Sequence, residues 1–416
     1  MIRTYSFGVR AILVLVTMVL SGGPWGHVTA QADPASLPLL AESNLQYIGG
    51  FRLPAGELNG EHFSFGGAAV AFNPAGPSLF VSSYRGTVAE LNIPTPVNSA
   101  DVTDMPFASY LQPFADLTEG HLEDVAVDGA GLSGLMVYGN RLVGTASIFY
   151  DANNTQRLTH FARSLQLNQP SFSGWSSVWQ SDRSGFVSWL MAVVPEEWRT
   201  ALGGPAITGQ CCIPIVSRTS NGPSAFAFDP ISIGQPRVSA TPLLYYTLEY
   251  PTLGPWEGSN PTYGAVAGVG GVALIASTRT VLYFGRNGLG PHCYGNGTSD
   301  KSLDGKQGSD GALFCYDPTS ADKGSHAFPY RYQVWAYDLN DLAAVRAGNK
   351  KPWDVVPYGV WPLTLPTPEP MVRLGGVGYD AERQIIYLSQ LRADQDGYSS
   401  RAVIHAIRIV IPKPVR

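Results

Sequence analysis

The chain has 416 residues, a formal net charge of −5 and only 14% charged residues. That charge is too small and too mixed in sign to grip a phosphate backbone, and no Lys/Arg cluster exceeds Lys350–Lys351, which argues against nucleic acid as a partner. Gly (46) and Pro (32) supply 78 of the 416 residues, spread among 20 Tyr, 17 Phe and 9 Trp, a turn-rich aromatic composition suited to an all-β fold rather than to disorder.

In chain order, Arg3 and Arg10 come first, then the apolar run Ala11–Leu20, then the small-residue site Val28-Thr29-Ala30. This pattern predicts a signal peptide over 1–30, cleaved near Ala30. Its apolar core is too short for a membrane span, which needs about 20 residues, and no later stretch qualifies. Residues 31–416 are therefore expected as a single secreted or periplasmic cell-envelope domain, monomeric and without a membrane span.

The rest reads as short strands divided by Gly, Pro, Asn and Asp: SLFVSSY, TVAELNIP, LMVYG, RLVGTASIFY, THFARSLQL, GFVSWLMAVV, SAFAFDP, LLYYTLEY, VALIAS, TVLYFG, YQVWAYD, IIYLSQL and AVIHAIRIV. Two short helices are predicted between them. Pro195–Leu202 has Pro at its first position, and Leu339–Ala347 follows Asp338 as N-cap. One unit recurs at Gly66–Pro94, Gly270–Gly285 and Gly375–Val410: a Gly pair, an apolar strand closed by a turn, and a second apolar strand. A β-propeller blade has that form, with Gly where innermost strands crowd the axis. The fold expected is all-β, a single β-propeller of six or seven blades, with five also allowed by the long insertions. The N-terminal strand near Leu45–Leu53 is expected to complete the last blade.

Together LQYIGGFRLP, FSFGGAAVAFNP, VAELNIP, ALGGPAITGQ, SNGPSAFAFDP, FGRNGLGPHCYG, FPYRYQVWAYDLNDLAAVRAG and GGVGYDAERQIIYLSQ resemble a family of exported bacterial proteins with no agreed activity. The resemblance spans nearly all of 31–416 and implies a propeller-like fold, but transfers no catalytic residue. Leu122–Gly131 (LEDVAVDGAG) is similar to the inner-strand signature of NHL and gluconolactonase-type propellers. That likeness implies Glu123 as the acid, while the asparagines and later Asp-Gly entry of those lactonases have no counterpart here.

The four cysteines permit three pairings. Cys293–Cys315 would tie a polar, Gly-rich loop; Cys211 and Cys212 either join each other or each take a distant partner. In a propeller, inner-strand entries open on the channel mouth, the default ligand site. There EGHLED offers His121, Glu123 and Asp124 as acid, base or cation ligands. Tyr150 and His160 lie in the next cluster, beside Arg157 and Arg163, in the combination a polysaccharide lyase uses. Asp300, Asp304 and Asp310 on flexible backbone suit Ca²⁺, without the EF-hand spacing. No serine-hydrolase, zinc-protease or P-loop motif occurs. The tryptophans, Trp353 among them, would stack either on sugars or between blades. The leading expectation is an envelope binding or scaffold protein that takes a small or carbohydrate-like ligand at the channel mouth. The alternative is a secreted hydrolase or lyase acting on sugars or lactones with the residues named above.

Overall fold

The computed structural model describes residues 1, 33–126, 129–255, 257, 260–367 and 372–413. Most of the predicted signal segment, together with Asp128 and Trp256, therefore lies outside the described residues. The chain divides into two compact units, Met1–Asp33 and Pro34–Arg416, and all the strands belong to the second.

Strand β1 (Leu45–Arg52) comes first in the chain but pairs last. The first sheet is β2 (Val70–Asn73), β3 (Ser78–Ser82), β4 (Val88–Asn92) and β5 (Tyr110–Ala115). The second is β6 (Ala130–Tyr138), β7 (Arg141–Ile148) and β8 (His160–Ser164), with Ser176 bridging the outer edge at His160. The third is β9 (Leu190–Val193), β10 (Ala206–Gly209), β11 (Ala225–Phe228) and β12 (Ala240–Leu244). The fourth is β13 (Gly268–Leu274), β14 (Thr280–Gly288), β15 (Tyr330–Asp338) and β16 (Gly359–Pro362). The fifth is β17 (Leu374–Asp380), β18 (Ile385–Asp396) and β19 (Ser399–Ile409), completed by β1.

All these pairings are antiparallel. The first strands β2, β6, β9, β13 and β17 each touch the next, and β17 returns to β2. The Gly376 N–H donates to the Ala68 carbonyl at 2.8 Å across that last junction. The arrangement is propeller-like; where six or seven sheets were expected, with five also allowed, five of this kind occur among the described residues.

Strand alternation explains the packing. On β14, Val281 and Tyr283 face the third sheet, while Leu282 and Phe284 face the fifth. On β2, Val70 and Phe72 face the fifth sheet and Ala71 the second. Each pair of successive sheets thus encloses its own apolar layer, so the inner strands are buried on both faces while the outer strands β5, β12 and β16 are only partly covered.

β1 runs antiparallel to β19, with Tyr47 opposite Ile407 and Gly50 opposite His405. A buried polar chain backs this seam. The Tyr47 hydroxyl meets His405 Nδ1 at 3.1 Å, and His405 Nε2 donates to Gln390 Oε1 at 2.8 Å. Gln390 Nε2 then donates to the Tyr332 hydroxyl of the fourth sheet at 3.1 Å. Burial pushes the Tyr47 phenol up to about 12.

The two predicted helices are short. Leu339–Arg346 is capped by the Asp338 carboxylate, which accepts from the Asn340 N–H. At the other, Pro195 precedes a 3₁₀ turn, Glu196–Trp198, that runs into Arg199–Leu202.

Between β14 and β15 the chain makes an excursion whose segments Cys293–Thr298, Phe314–Tyr316 and Lys323–His326 pair into a small sheet. Cys293 is joined to Cys315, and Cys211 to Cys212. At the base of the excursion, Asp317 accepts from His326 Nδ1 at 2.8 Å, the Tyr330 hydroxyl at 2.6 Å and the Thr319 hydroxyl at 2.6 Å. Burial alone would raise this carboxyl, but those donors outweigh it and hold its pKa below the ordinary value. Replacing Cys293 and Cys315 together by serine frees a loop whose closure is worth about 3 kcal/mol. The expected result is faster protease cleavage within 299–313 with the main thermal transition retained; unchanged cleavage would show that the disulfide contributes nothing to order there.

Candidate functional site

The axis is not the polar mouth that the sequence suggested. At the inner-strand entries, backbones close on one another: a Cβ on Gly134 would collide with the Trp189 carbonyl, and one on Gly376 with the Val70 amide. Only about 20 Å³ of space remains there, among Ser133, Gly134, Trp189, Gly270 and Gly376.

The residues expected around that mouth are scattered. His121 Nδ1 lies 3.0 Å from Asp124 Oδ2, both side chains 55% exposed on a single 3₁₀ turn. The His121 ring stacks on Phe172, with centroids 5.0 Å apart. Glu123 is exposed, and Tyr150 is 65% exposed on the next loop. His160 departs from expectation, being fully buried between the second and third sheets. Its Nε2 donates to the Thr208 hydroxyl at 2.9 Å, and its Nδ1 meets the Thr159 hydroxyl at 2.9 Å. Burial depresses its pKa to about 3. It is a neutral tie between sheets, out of reach of a ligand.

The aspartates proposed for Ca²⁺ also separate. Asp300 caps the turn Lys301–Leu303, Asp304 accepts from the Tyr316 N–H at 2.8 Å, and Asp310 accepts from Asn296 Nδ2 at 3.0 Å. Short polar side chains after Gly-rich turns serve their own backbone first. Among the described residues, no group of three or more His, Cys, Asp or Glu could hold a metal ion.

A cleft of about 590 Å³ instead lies off the axis, lined by Asn154, Asp182, Arg183, Phe186, Arg218, Tyr245, Thr247, Glu249, Tyr250 and Trp353. β7 ends opposite the start of β6, and β10 ends opposite the start of β9. The loops carrying Asn154 and Arg218 therefore stand on the strand-entry side.

The predicted strand LLYYTLEY stops at Leu244, and 245–250 turn away, so both faces of the Tyr-rich segment are not consumed by the sheet. The Thr252 hydroxyl donates to the Trp353 carbonyl and the Tyr246 hydroxyl to the Val355 carbonyl, each at 2.6 Å, fixing the two segments together. As a result Tyr250 lies parallel to Trp353 (4.4 Å, 7°), and Tyr245 meets Trp353 edge-on at 5.8 Å.

Polar groups are held around these rings. Asp151 organises one wall by accepting from the Thr155 and Gln156 N–H groups at 2.7 and 3.0 Å. Burial opposes its charge, but those donors, the Thr155 hydroxyl and Arg218 outweigh burial and keep its pKa below the ordinary value. Arg218 donates to the Asp151 carbonyl at 2.8 Å, and Asn154 Nδ2 to the Asp182 carbonyl at 3.1 Å. The exposed Arg183 guanidinium sits 5.9 Å from the Phe186 and Trp179 rings. Thr247 Oγ1 is buried without a hydrogen-bond partner, an unusual state for a hydroxyl in a packed structure. Trp353 was marked in the sequence as a stacking residue. Arg183 and Arg218 carry no signal in the sequence, because only the fold brings their loops together with Tyr245, Tyr250 and Trp353.

No protein-family model matches the sequence, and no curated protein matches it. Similar solved structures include one described with the GH130 family of mannoside phosphorylases, which contains glycoside hydrolases that target β-1,2 mannosidic linkages in Candida mannan; identity is 11% over 91% of this chain and 99% of that one, with TM-score 0.42. A glycosyl hydrolase from Bacteroides ovatus shares 10% identity over 89% and 97%, TM-score 0.42. The β-propeller domain of Myceliophteria thermophila Cps50 (Swd1) shares 8% over 88% and 100%, TM-score 0.34. At these scores the likenesses add nothing to the strand pairing. Among the described residues, no helix is long and apolar enough to cross a membrane.

Proposed function

We propose that the chain is an exported five-bladed β-propeller, closed by β1, that binds a carbohydrate-like ligand in the off-axis cleft and serves as a binding protein of the cell envelope. The observation that carries this reading is the Trp353–Tyr250–Tyr245 wall facing Arg183, Arg218, Asp182 and Glu249 in one cavity. Aromatic faces cover the C–H faces of a sugar, while charged and amide groups take its hydroxyls. The two disulfides fit an oxidising compartment.

The test is calorimetric titration with neutral and uronic oligosaccharides. Trp353→Ala is expected to weaken binding about 30-fold or more, the size of a buried aromatic anchor, with His121→Ala neutral. Equal affinity for Trp353→Ala, or no saccharide bound by the unaltered chain, overturns the reading. A hydrolase or lyase reading keeps the exposed His121–Asp124 pair as its acid–base couple. It requires turnover of a uronic polysaccharide or lactone that His121→Ala abolishes.

A further inference from the structure

The opposite end of the axis is a second cavity of different character. It holds about 240 Å³ and is walled by Ala71, Met136, Met191, Val272 and Val377, one residue from each innermost strand. Its far end is the glycine seal described above, where backbone meets backbone. Its near end opens among Pro74, Pro77, Pro195, Ala276 and Ala381. The result is a blind apolar shaft whose lip also carries Asp380, Glu382 and Arg383.

We propose that this shaft binds one unbranched aliphatic chain of about nine carbons, with its head group left at the lip. The length follows from volume. An apolar cavity of about 150 Å³ holds benzene, so the same packing places about nine carbons in this one. The shape follows from fivefold convergence: the five innermost strands together wall a narrow tube, which accepts an extended chain and rejects a branched or fused-ring molecule. Polar ligands are excluded because side-chain donors and acceptors are confined to the lip. Two facing thioethers, Met136 and Met191, let the tube adjust to its occupant.

The lip also selects the head. Asp380 is buried and already paired with Arg383 at 3.0 Å, and Glu382 is exposed beside them. Two carboxylates against one guanidinium leave one negative charge uncompensated. An uncharged hydroxyl head is therefore favoured over a carboxylate. This site shares no residue with the aromatic cleft, and its occupancy is independent of whether that cleft takes a sugar.

The experiment titrates the full chain with n-alkanols from hexanol to dodecanol, following the Met136 and Met191 ε-methyl resonances by NMR. Affinity is expected to rise about fourfold per added carbon and to stop rising near nine carbons, with both methyl resonances shifting. Nonanoate is expected to bind more weakly than nonanol. Ala71→Leu, which fills the tube, should move the cut-off about three carbons shorter, and Met191→Ala should move it longer. If one variant does not fold, the other and the cut-off in the unaltered chain still decide. Unshifted methyls, affinity that climbs without a cut-off, or equal binding of a branched isomer overturn the proposal; nonanoate binding as tightly as nonanol overturns the head-group assignment.

Discussion

Stability is expected to fall steeply as the pH drops from about 6.5 towards 4.5, with a slope of about two protons. His160 and His405 are both fully buried, and burial depresses each pKa from 6.5 to about 3. In the unfolded chain the same rings take up protons near 6.5, so below that pH the unfolded state binds more protons than the folded one. The stabilising contribution is complete above pH 6.5 and is lost as pH falls towards 3. Each histidine contributes about 1.4 kcal/mol per pH unit within that window, and the two together about 2.7. Carboxylates with lowered pKa values, such as Asp151 and Asp317, act in the same direction, but only below their ordinary range near 4. Between pH 6 and 4.5 the slope therefore belongs to the imidazoles. Urea unfolding across pH 4.5–7.5 measures it, and His160→Gln or His405→Gln should each remove about half. A flat profile in the unaltered chain would mean that the rings admit protons, and the burial argument would fail.

A chain lacking Leu45–Leu53 is expected not to reach a cooperative folded state. That segment supplies the outer strand of the fifth sheet, and Phe51 and Leu53 are fully buried in the layer shared by the fifth and first sheets. Its removal opens the eleven-residue strand β19 as an unpaired edge and leaves His405 without the Tyr47 hydroxyl. Phe51→Ala is the milder form, with an expected loss of about 3–5 kcal/mol. Near-ultraviolet circular dichroism and thermal melting report both. A truncated chain that melted at the parent temperature would show that the seam adds nothing.

The sequence carried the seam because its signals are local. LQYIGGFRL and AVIHAIRIV alternate correctly for paired strands, and the Gly pairs mark the crowded axis. The sheet number was less legible. The long excursions after β14, and between the second and third sheets, consume chain length that a count per blade assigns to further blades. The residues singled out as a site are kept apart by the fold for a related reason. EGHLED and THFARS look polar and reactive on paper, but one is a solvated turn and the other turns its imidazole into a sheet interface. Whether a histidine in a five-residue strand meets ligand or neighbour is decided by what packs against it, here Thr208, 48 residues further along. The aromatic wall is half visible: Trp353 reads as a stacking residue, but LLYYTLEY reads only as a strand, and the meeting of the two depends on where that strand ends at Leu244.

The bond between Tyr47 and His405 joins groups 358 residues apart. One edge of β1 bonds to Val97 and Pro106, soon after it in the chain, but the other edge has no partner until β19 has emerged. Four sheets can assemble in chain order, but the fifth waits for β19. Joining such distant segments is intrinsically slow, so the fifth sheet is expected to be the last to form.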